Sequence, residues 1–332
     1  MLGLHSIACA ALAVAVSLAL PGAAARAEAT NLRLSVETPQ GEPLNVVLRA
    51  FADAVAERAG DQVTIEIFDG GVLGDEIAQM ELVRAGEVDV VPMGSDVVEI
   101  EPKFALFDAP FLFPSKESAR EALDGALGEK LGGALMESNN LKLLAFGELG
   151  FRVISNNVRP IHTPEDLAGL KLRTPGSGTR IMAFETLGAA PTPMNLGEVY
   201  LALQQGVLDG QENPLSVIDE MSFDEVQKYI SITRHVYTPI TLVMNGDKWA
   251  SLSPELQEMV LEAAAAARQV SRQQSDDSDA SLLGHFEGQG IAINEADLDA
   301  FKAKTEPIYA KIGEIVGPDF MTEAVEIIGG GG

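Results

Sequence analysis

Two arginines and one asparagine stand at the ends of short apolar runs, in a chain of 332 residues with a formal net charge of −26. They are Arg152, Arg173 and Asn213. A guanidinium presents a planar fork of donors that fits a carboxylate with two hydrogen bonds, and it keeps its charge. Because the whole chain is acidic, an anion would have to be attracted by such local charges against the field of the molecule. The pattern predicts a fixed site for an anion.

Polar side chains at other strand ends are candidates to contact the rest of the same ligand. Glu37 and Thr38 follow the first predicted strand, Ser95 and Asp96 follow the third, and Asn195 precedes a helix later in the chain. A carboxylate at Glu37 or Asp96 can accept hydrogen bonds from hydroxyl groups, which favours a hydroxylated acid over a purely apolar one. The alternative is that these carboxylates are solvated loop residues.

Each of the three central residues has a second interpretation that the sequence leaves open. Arg173 could be an ordinary surface arginine at the end of a strand. Arg152 could pair with Glu148 or Glu165 and support a hinge instead of contacting a ligand, and Glu148 is itself counted as a candidate ligand contact. Asn213 could be a turn residue, since the residue before a proline is pushed toward extended or turn geometry.

The first part of the chain alternates strands and helices as a doubly wound α/β layer requires. Apolar alternation predicts strands at 32–36 and 63–68 and an amphipathic helix over 43–59. A second helix over 77–85 ends at Gly86, and the apolar segment 88–93 is typical of a buried parallel strand.

An internal echo indicates a second lobe related to the first. Residues 82–89 resemble residues 203–209, and in both a helix stops at a glycine shortly before a strand. Open α/β sheets bind ligands at the carboxyl ends of their strands, so two such lobes would face each other across a cleft. A helix, a glycine and a strand in succession are also common in any α/β protein, and the echo alone does not separate the two interpretations.

One very long helix is predicted near the carboxyl end. Ser253 is a suitable N-cap, Pro254 suits the first helical position, and no proline interrupts the segment up to about Gln289. At 1.5 Å per residue the helix would be about 50 Å long, longer than one small domain. We expect it to brace both lobes.

The amino-terminal segment has the composition of a secretory signal peptide. Residues 7–20 are apolar except for Ser17, and the small residues Ala25 and Ala27 suit cleavage after Ala27. The run is shorter than the roughly 20 residues that span a bilayer, although a retained anchor is the alternative. Cys9, the single cysteine, lies inside this segment, so the mature chain would have no disulfide and no thiol nucleophile.

Composition and spacing also limit the classes of function. About 300 mature residues favour two domains, and the scattered basic residues of an acidic chain exclude a nucleic-acid partner. His162, His235 and His285 have no metal-ligand spacing, and no nucleophile elbow or phosphate loop is present. We therefore predict no enzyme, no metal and no cofactor, although a pair of catalytic carboxylates cannot be rejected by counting.

These residues carry a resemblance to a known family. The chain resembles the solute-binding proteins of tripartite ATP-independent periplasmic (TRAP) transporters, the DctP-like family. The resemblance covers nearly all of the mature chain and is densest in Gly150-Phe151-Arg152, Gly169-Leu170-Lys171-Leu172-Arg173, Glu198-Val199-Tyr200 and Asp209-Gly210-Gln211-Glu212-Asn213-Pro214, with support from Leu73-Gly74-Asp75 and Ala109-Pro110-Phe111-Leu112-Phe113. Each motif is weak alone, and their order and spacing together are specific.

The resemblance implies a two-lobe periplasmic binding protein fold of the class II-like type, with doubly wound sheets joined by hinge segments. It implies a small organic acid as ligand and the small and large membrane subunits of a TRAP permease as partners. By the same resemblance, Arg173 forms the central salt bridge to the ligand carboxylate, and Arg152 and Asn213 assist. A receptor that presents its ligand to a sensor protein is the alternative, since both kinds of partner need only a closed form to recognise.

The domain boundaries follow from these predictions. We expect a signal peptide over 1–27 and a periplasmic mature protein. The first lobe is expected to comprise 28–149 and about 239–278, and the second 150–238 and about 279–328. The identity of the acid stays open.

Overall fold

Residues 29–330 are described by a computed structural model, and they form two lobes, each built on its own β-sheet. The predicted signal peptide lies outside the described residues. The strands are β1 Thr30–Ser35, β2 Val63–Phe68, β3 Val90–Met93, β4 Leu141–Phe151, β5 Val153–Asn156, β6 Lys171–Thr174, β7 Ala190–Pro193, β8 Gly210–Asn213, β9 Tyr229–Ile232, β10 Tyr237–Asn245 and β11 Ala292–Glu295.

The helices pack on both sides of these sheets. They are α1 Pro43–Ala59, α2 Glu76–Ala85, α3 Lys116–Asp124, α4 Ala126–Asn139, α5 Gly178–Leu187, α6 Val199–Gln204, α7 Leu215–Glu220, α8 Gly246–Ser251, α9 Pro254–Gly288, α10 Leu298–Lys302, α11 Glu306–Val316 and α12 Pro318–Gly329. Short 3₁₀ helices, among them Ser95–Glu99 and Pro102–Asp108, connect several of them.

The first lobe confirms the predicted doubly wound opening. Its sheet has the order β2-β1-β3-β10-β4, with β1 parallel to β2 and β3, and β10 antiparallel to β3 and β4. All four residues of β3 are buried, as expected for a central strand covered on both faces. Helix α2 ends at Gly86, whose left-handed conformation (φ 73°) terminates the helix and turns the chain toward β3.

The second lobe repeats this arrangement around a sheet of order β11-β9-β5-β8-β6-β7. Helix α6 is followed by Gly206, which has a positive φ of 69°, and then by β8, just as α2, Gly86 and β3 follow one another in the first lobe. Strand β8 is wholly buried between β5 and β6. The echo predicted from the sequence therefore corresponds to equivalent elements of the two sheets.

Two of the crossings of the chain between the lobes lie next to each other. One residue, Arg152, separates β4 of the first sheet from β5 of the second, and residues 233–236 connect β9 to β10 in the opposite direction. The two crossovers are hydrogen-bonded to each other, since the backbone N–H of Arg152 donates to the carbonyl oxygen of Val236 at 3.0 Å. These segments are the hinge that the fold class requires.

Helix α9 spans both lobes, as its length predicts. It is 35 residues long, begins after the N-cap Ser253, and packs against α1 and β4 of the first lobe and α7 of the second. Its apolar face includes Ala263 and Ala267, while its far end inserts Phe286 into the second-lobe core. Charged residues interrupt its surface, and no helix within residues 29–330 is both long and apolar enough to cross a membrane.

The carboxyl-terminal boundary fits the prediction only in part. We expected 279–328 in the second lobe, and β11 does pair with β9 there. Helix α11, however, packs against the segment Pro102–Asp108 of the first lobe as well as against α5, and α12 packs against α3 and α4. Ile308 and Ile312 are buried in one apolar cluster that contains residues of both lobes, which explains why the end of the chain contacts both.

Phe286→Ala tests whether the end of α9 belongs to the second-lobe core. Phe286 is fully buried in one cluster with Ile230 and Ile232, so truncation should lower the free energy of unfolding by about 3–5 kcal/mol, measured by urea denaturation. Val270→Ala, at an exposed position of the same helix, is the control and should change it by less than about 0.5 kcal/mol. Equal losses would contradict the packing described.

Candidate functional site

A cavity lies between the two lobes, at the ends of β1, β3, β6 and β8. Two walls face each other across it, an acidic one from the first lobe and a basic and amide-bearing one from the second lobe and the crossover. The first-lobe residues that line it are Glu37, Glu42, Leu44, Asp75, Glu76, Ile77, Gly94, Ser95, Asp96 and Leu149, and the others are Arg152, Arg173, Pro175, Asn195, Leu196, Asn213 and Val217. The location agrees with the rule that open α/β sheets bind ligands beyond their strand ends.

Arg173 is buried in the second-lobe wall with most of its donors uncommitted. It is 4 % exposed, and its Nε donates to the carbonyl oxygen of Met194 at 2.8 Å. This is the side-chain hydrogen bond that Arg173 forms within residues 29–330, and its two terminal nitrogens have no acceptor there. Burial lowers the pKa of Arg173 to about 10, so the group is charged at neutral pH. It is a fixed, positive pair of donors on the cavity.

Arg152 lines the same cavity, and two of its three side-chain nitrogens, Nε and Nη2, are bonded to protein. Its Nε donates to Oε2 of Glu212, and its Nη2 donates to Oε1 of Glu212 at 3.0 Å and to Oδ1 of Asn213 at 2.8 Å. The alternative partners considered from the sequence are therefore wrong, because Glu148 is bound by Arg120 and Glu165 by Lys304. Nη1 of Arg152 is left as its donor for a ligand.

Glu212 is the buried partner that sequence reasoning missed. It is fully buried and is bound by Arg152, by Arg180 at 3.0 Å and by Nε2 of His235 at 3.0 Å. Burial alone would raise its pKa, but Arg152 and Arg180 hold the pKa of Glu212 well below its usual range. The signal was present, since Glu212 directly precedes Asn213 in the densest motif.

Asn213 is held by the same cluster. Its Oδ1 accepts from Arg152, and its Nδ2 donates to Oε1 of Gln211 at 2.6 Å. An amide nitrogen carries two hydrogens, so one N–H of Asn213 remains for the cavity. Arg152, Arg173 and Asn213 are thus brought to one wall with three sets of free donors, although the first and last are 61 residues apart in sequence.

The opposite wall is more acidic than the sequence predicted. Glu37 and Asp96 line the cavity as expected, and Glu42, Asp75 and Glu76 are added. The carboxyl groups are tied to backbone N–H groups: Glu76 N–H donates to Glu37 at 2.9 Å, and Gly94 and Asp96 N–H donate to Glu76 at 2.8 and 3.2 Å. These bonds fix the wall.

Burial and crowding raise the pKa values of several carboxyl groups in this wall. Burial raises the pKa of Glu37 and of Glu42 to about 7. Burial, together with the charges of Asp96 and Glu37, raises the pKa of Glu76 well above its usual value. Burial also raises the pKa of Asp96, although Arg173 opposes the rise. The wall resists further negative charge.

Glu76 is not predicted from the sequence because two consecutive acids, Asp75 and Glu76, stand at the start of α2 and either could cap the helix. Asp75 is the N-cap of α2 and accepts from Ala78 N–H at 2.9 Å, which leaves Glu76 to turn inward. Gly94 makes room for it, since a Cβ at that position would meet Oε2 of Glu76 at 3.1 Å. The available signal in the sequence was the pair of consecutive acids, Asp75 and Glu76, together with a glycine, Gly94, at the end of a buried strand.

The other predicted contacts divide into two groups. Ser95 and Asn195 line the cavity, whereas Thr38 is buried behind it, where its carbonyl oxygen accepts from Asn45 at 2.8 Å. Glu148 requires a correction. Its neighbour Leu149 lines the cavity, whereas the carboxylate of Glu148 lies on the far side of β4, against α3.

The carboxylate of Glu148 is occupied on that far side of β4. It accepts from Arg120 at 2.7 and 2.9 Å and from the hydroxyl of Tyr237 at 3.0 Å, and Lys116 lies 3.3 Å away. Glu148 therefore holds α3 against β4 and the hinge and is not part of the cavity wall.

Glu37→Gln tests the acidic wall through pH. Since the pKa of Glu37 is raised from 4.5 to about 7, the folded protein binds more protons than the unfolded chain between these values, and stability falls as pH rises through them. The ligand-free wild type should lose about 1–3 kcal/mol more between pH 5 and pH 8 than the variant, measured by urea denaturation. Glu57→Gln, at an exposed position of α1, should behave as wild type. Identical pH dependence in Glu37→Gln and wild type would refute the raised pKa.

Comparisons with known proteins identify the family of this chain. Residues 34–314 match the sequence model of DctP, the bacterial extracellular solute-binding protein family 7. The chain is 35% identical over 275 residues to the 2,3-diketo-L-gulonate-binding periplasmic protein YiaO of Escherichia coli, which covers 82% of this chain and 84% of that protein.

Solved structures show the same fold. The sugar acid binding protein DctPAm of Advenella mimigardefordensis, in complex with galactonate, superimposes with a TM-score of 0.86 at 26% identity, covering 91% of this chain and 99% of the other. A TRAP periplasmic solute-binding protein of a Sulfitobacter species with bound β-D-galacturonate gives 0.85 at 30% identity, covering 90% and 99%. These relatives are binding proteins of transport systems and not enzymes. The fold class and the resemblance are confirmed, and the chain belongs to the DctP family of bacterial extracellular solute-binding proteins.

Proposed function

We propose that this protein captures a hydroxylated organic monoacid in the cavity between its lobes and delivers it to the membrane subunits of a TRAP permease. One observation carries the proposal: Arg173 is buried on the cavity and keeps both terminal nitrogens free of protein acceptors. A buried guanidinium without an anion is costly. A ligand carboxylate supplies the missing charge and fits the fork with two hydrogen bonds.

The remaining contacts are assigned from the donors and acceptors of the two walls. Nη1 of Arg152 and one N–H of Asn213 are placed to assist at the carboxylate. Glu37 and Asp96, on the opposite wall, are placed to accept from hydroxyl groups. The acids named for the relatives, galactonate, galacturonate and 2,3-diketo-L-gulonate, all combine a carboxylate with hydroxyl groups, which supports this ligand class.

Closure of the lobes converts binding into a signal for the membrane partner. The ligand contacts both walls, so the closed form is favoured when ligand is present. Exclusion of water strengthens the charged hydrogen bonds. The permease subunits then need only to distinguish the closed surface from the open one. The hinge at Arg152 and at 233–236 allows this motion without breaking either sheet.

The place of action follows from the family and from the amino-terminal sequence. Family 7 proteins are extracellular solute-binding proteins. We assign residues 1–27 as a signal peptide that is cleaved after Ala27, which leaves a periplasmic protein that begins at Glu28.

Arg173→Ala tests the central contact. A thermal-shift screen of organic acids first identifies a ligand, because a ligand that binds the folded state raises the melting temperature. Titration calorimetry with that acid should then show a loss of about 2–5 kcal/mol in the variant, since a buried charge pair is broken. Arg84→Ala, at an exposed position in the last turn of α2, is the control and should bind as wild type. Unchanged affinity in Arg173→Ala would overturn the proposal.

Arg173→Lys separates charge from geometry. Lysine keeps the charge but lacks the planar fork, so we expect binding at least about tenfold weaker than wild type in the same titration. If the variant binds as tightly as wild type, charge alone holds the carboxylate and the bidentate arrangement is not required.

The intact mass of the exported protein tests whether residues 1–27 are cleaved. Expression of the full chain in a Gram-negative host should yield a periplasmic protein whose intact mass begins at Glu28. Recovery of the chain with residues 1–27 attached, in the membrane fraction, would show that the segment is a retained anchor.

A further inference from the structure

The cavity contains more negative than positive groups, although it is built to take an anion. Five carboxyl groups line the first-lobe wall. Two guanidinium groups line the other side, and one of them, Arg152, is already matched by the fully buried Glu212. Arg173 is thus the one lining cation whose charge is not matched by a direct ion pair among residues 29–330. The cavity can neutralise one ligand charge and is unfavourable to a second.

The acidic wall also contains acceptors that lack donors. Oδ1 of Asp96 is buried and has no hydrogen-bond partner among the described residues. For Glu37 and Glu76, the bonds from backbone N–H groups reach one carboxyl oxygen of each. A buried acceptor without a donor is destabilised by the full loss of its hydration. The wall therefore requires O–H or N–H groups from whatever fills the cavity.

A metal ion does not satisfy this requirement. Within residues 29–330 no three carboxyl or imidazole groups are arranged to coordinate one ion. Each carboxyl group is instead turned by its own backbone contact: Glu37 toward α2, Glu76 toward Gly94, and Glu42 toward Leu44 N–H at 2.8 Å. Separate acceptors along one wall suit a chain of hydroxyl groups.

We propose, on the basis of the function proposed above, that this wall makes the protein selective for polyhydroxy monocarboxylates and rejects the matching dicarboxylates. The ligand carboxylate lies on Arg173, and its hydroxyl groups point at Glu37 and Asp96. In a dicarboxylate of the same carbon skeleton, the second carboxylate would replace a terminal hydroxyl among these acids. This replacement would remove one O–H donor from the ligand and would place a second negative charge beside the carboxyl groups of the wall.

The response of the wall to its own charge supports this selectivity. Burial and the neighbouring acids raise the pKa of Glu76, and burial raises the pKa of Asp96 even though Arg173 favours its ionised form. At pH 8, above the pKa of about 7 of Glu37 and Glu42, these two groups are mainly ionised and repel another carboxylate.

Matched pairs of acids provide the test. D-galactonate and galactarate have the same six-carbon skeleton and differ in one end group, CH₂OH or COO⁻, and D-gluconate and D-glucarate form a second pair. Titration calorimetry of the mature protein at pH 8 should show the monoacid of the better-bound pair at least about 100-fold tighter than its dicarboxylate. Comparable or tighter binding of the dicarboxylate would overturn this inference and leave the capture of an organic acid intact.

Charge-removing variants identify the wall as the cause. Glu37→Gln and Asp96→Asn keep the shape of the side chain and should reduce the discrimination at least about tenfold, chiefly by improving the dicarboxylate. Glu57→Gln, on the exposed face of α1, should keep the wild-type ratio, and circular dichroism confirms folding. A ratio unchanged in both cavity variants would assign the selectivity elsewhere and refute the inference. If none of the four acids and no other hydroxylated monoacid binds, the proposed function itself fails with it.

Discussion

The buried pair of Arg152 and Glu212 is the interaction on which the binding wall depends. Arg152 occupies the single position between the two sheets, and Glu212 lies on the adjacent strand β8. Because Glu212 takes two of its nitrogens, the guanidinium is held in one orientation and in turn fixes the side chain of Asn213. Loss of Glu212 would leave the buried Arg152 without a carboxylate partner, which typically costs about 3–5 kcal/mol.

This pairing divides the work between the two arginines. Arg152 has its charge matched by protein and contributes structure and one remaining donor. Arg173 has no direct ion pair among the described residues and contributes the charge that an anion needs. In a chain with a net charge of −26, a second unmatched arginine would attract a protein carboxylate before a ligand. In so acidic a chain it matters that no carboxylate within residues 29–330 forms an ion pair with Arg173. The hydrogen bonds from backbone N–H groups hold Glu37 and Glu76 on the opposite wall, away from it.

The sequence predicts the scaffold well and the acidic wall poorly, for physical reasons. Helix α9 follows from its cap at Ser253 and its unbroken composition, and β3 from its continuous apolar run, since both depend on local patterns. The prediction for Glu148 was wrong because its carboxylate is bound by Arg120 and Tyr237, and because the pairing of β4 with β10 shifts register at this residue, which a local pattern does not reveal. Glu76 and Glu212 were missed because their positions are set by contacts between elements distant in sequence.

The single-residue connection at Arg152 has a kinetic consequence. When two bodies rotate about a pivot, groups at the pivot move least, so the second-lobe donors near Arg152 stay assembled while the first-lobe acids swing away. We infer that an incoming ligand first places its carboxylate on the second-lobe donors, in a step that depends little on its other groups. Its hydroxyl pattern is checked only as the lobes come together. Discrimination between acids should thus reside in how long the ligand stays and not in how fast it arrives.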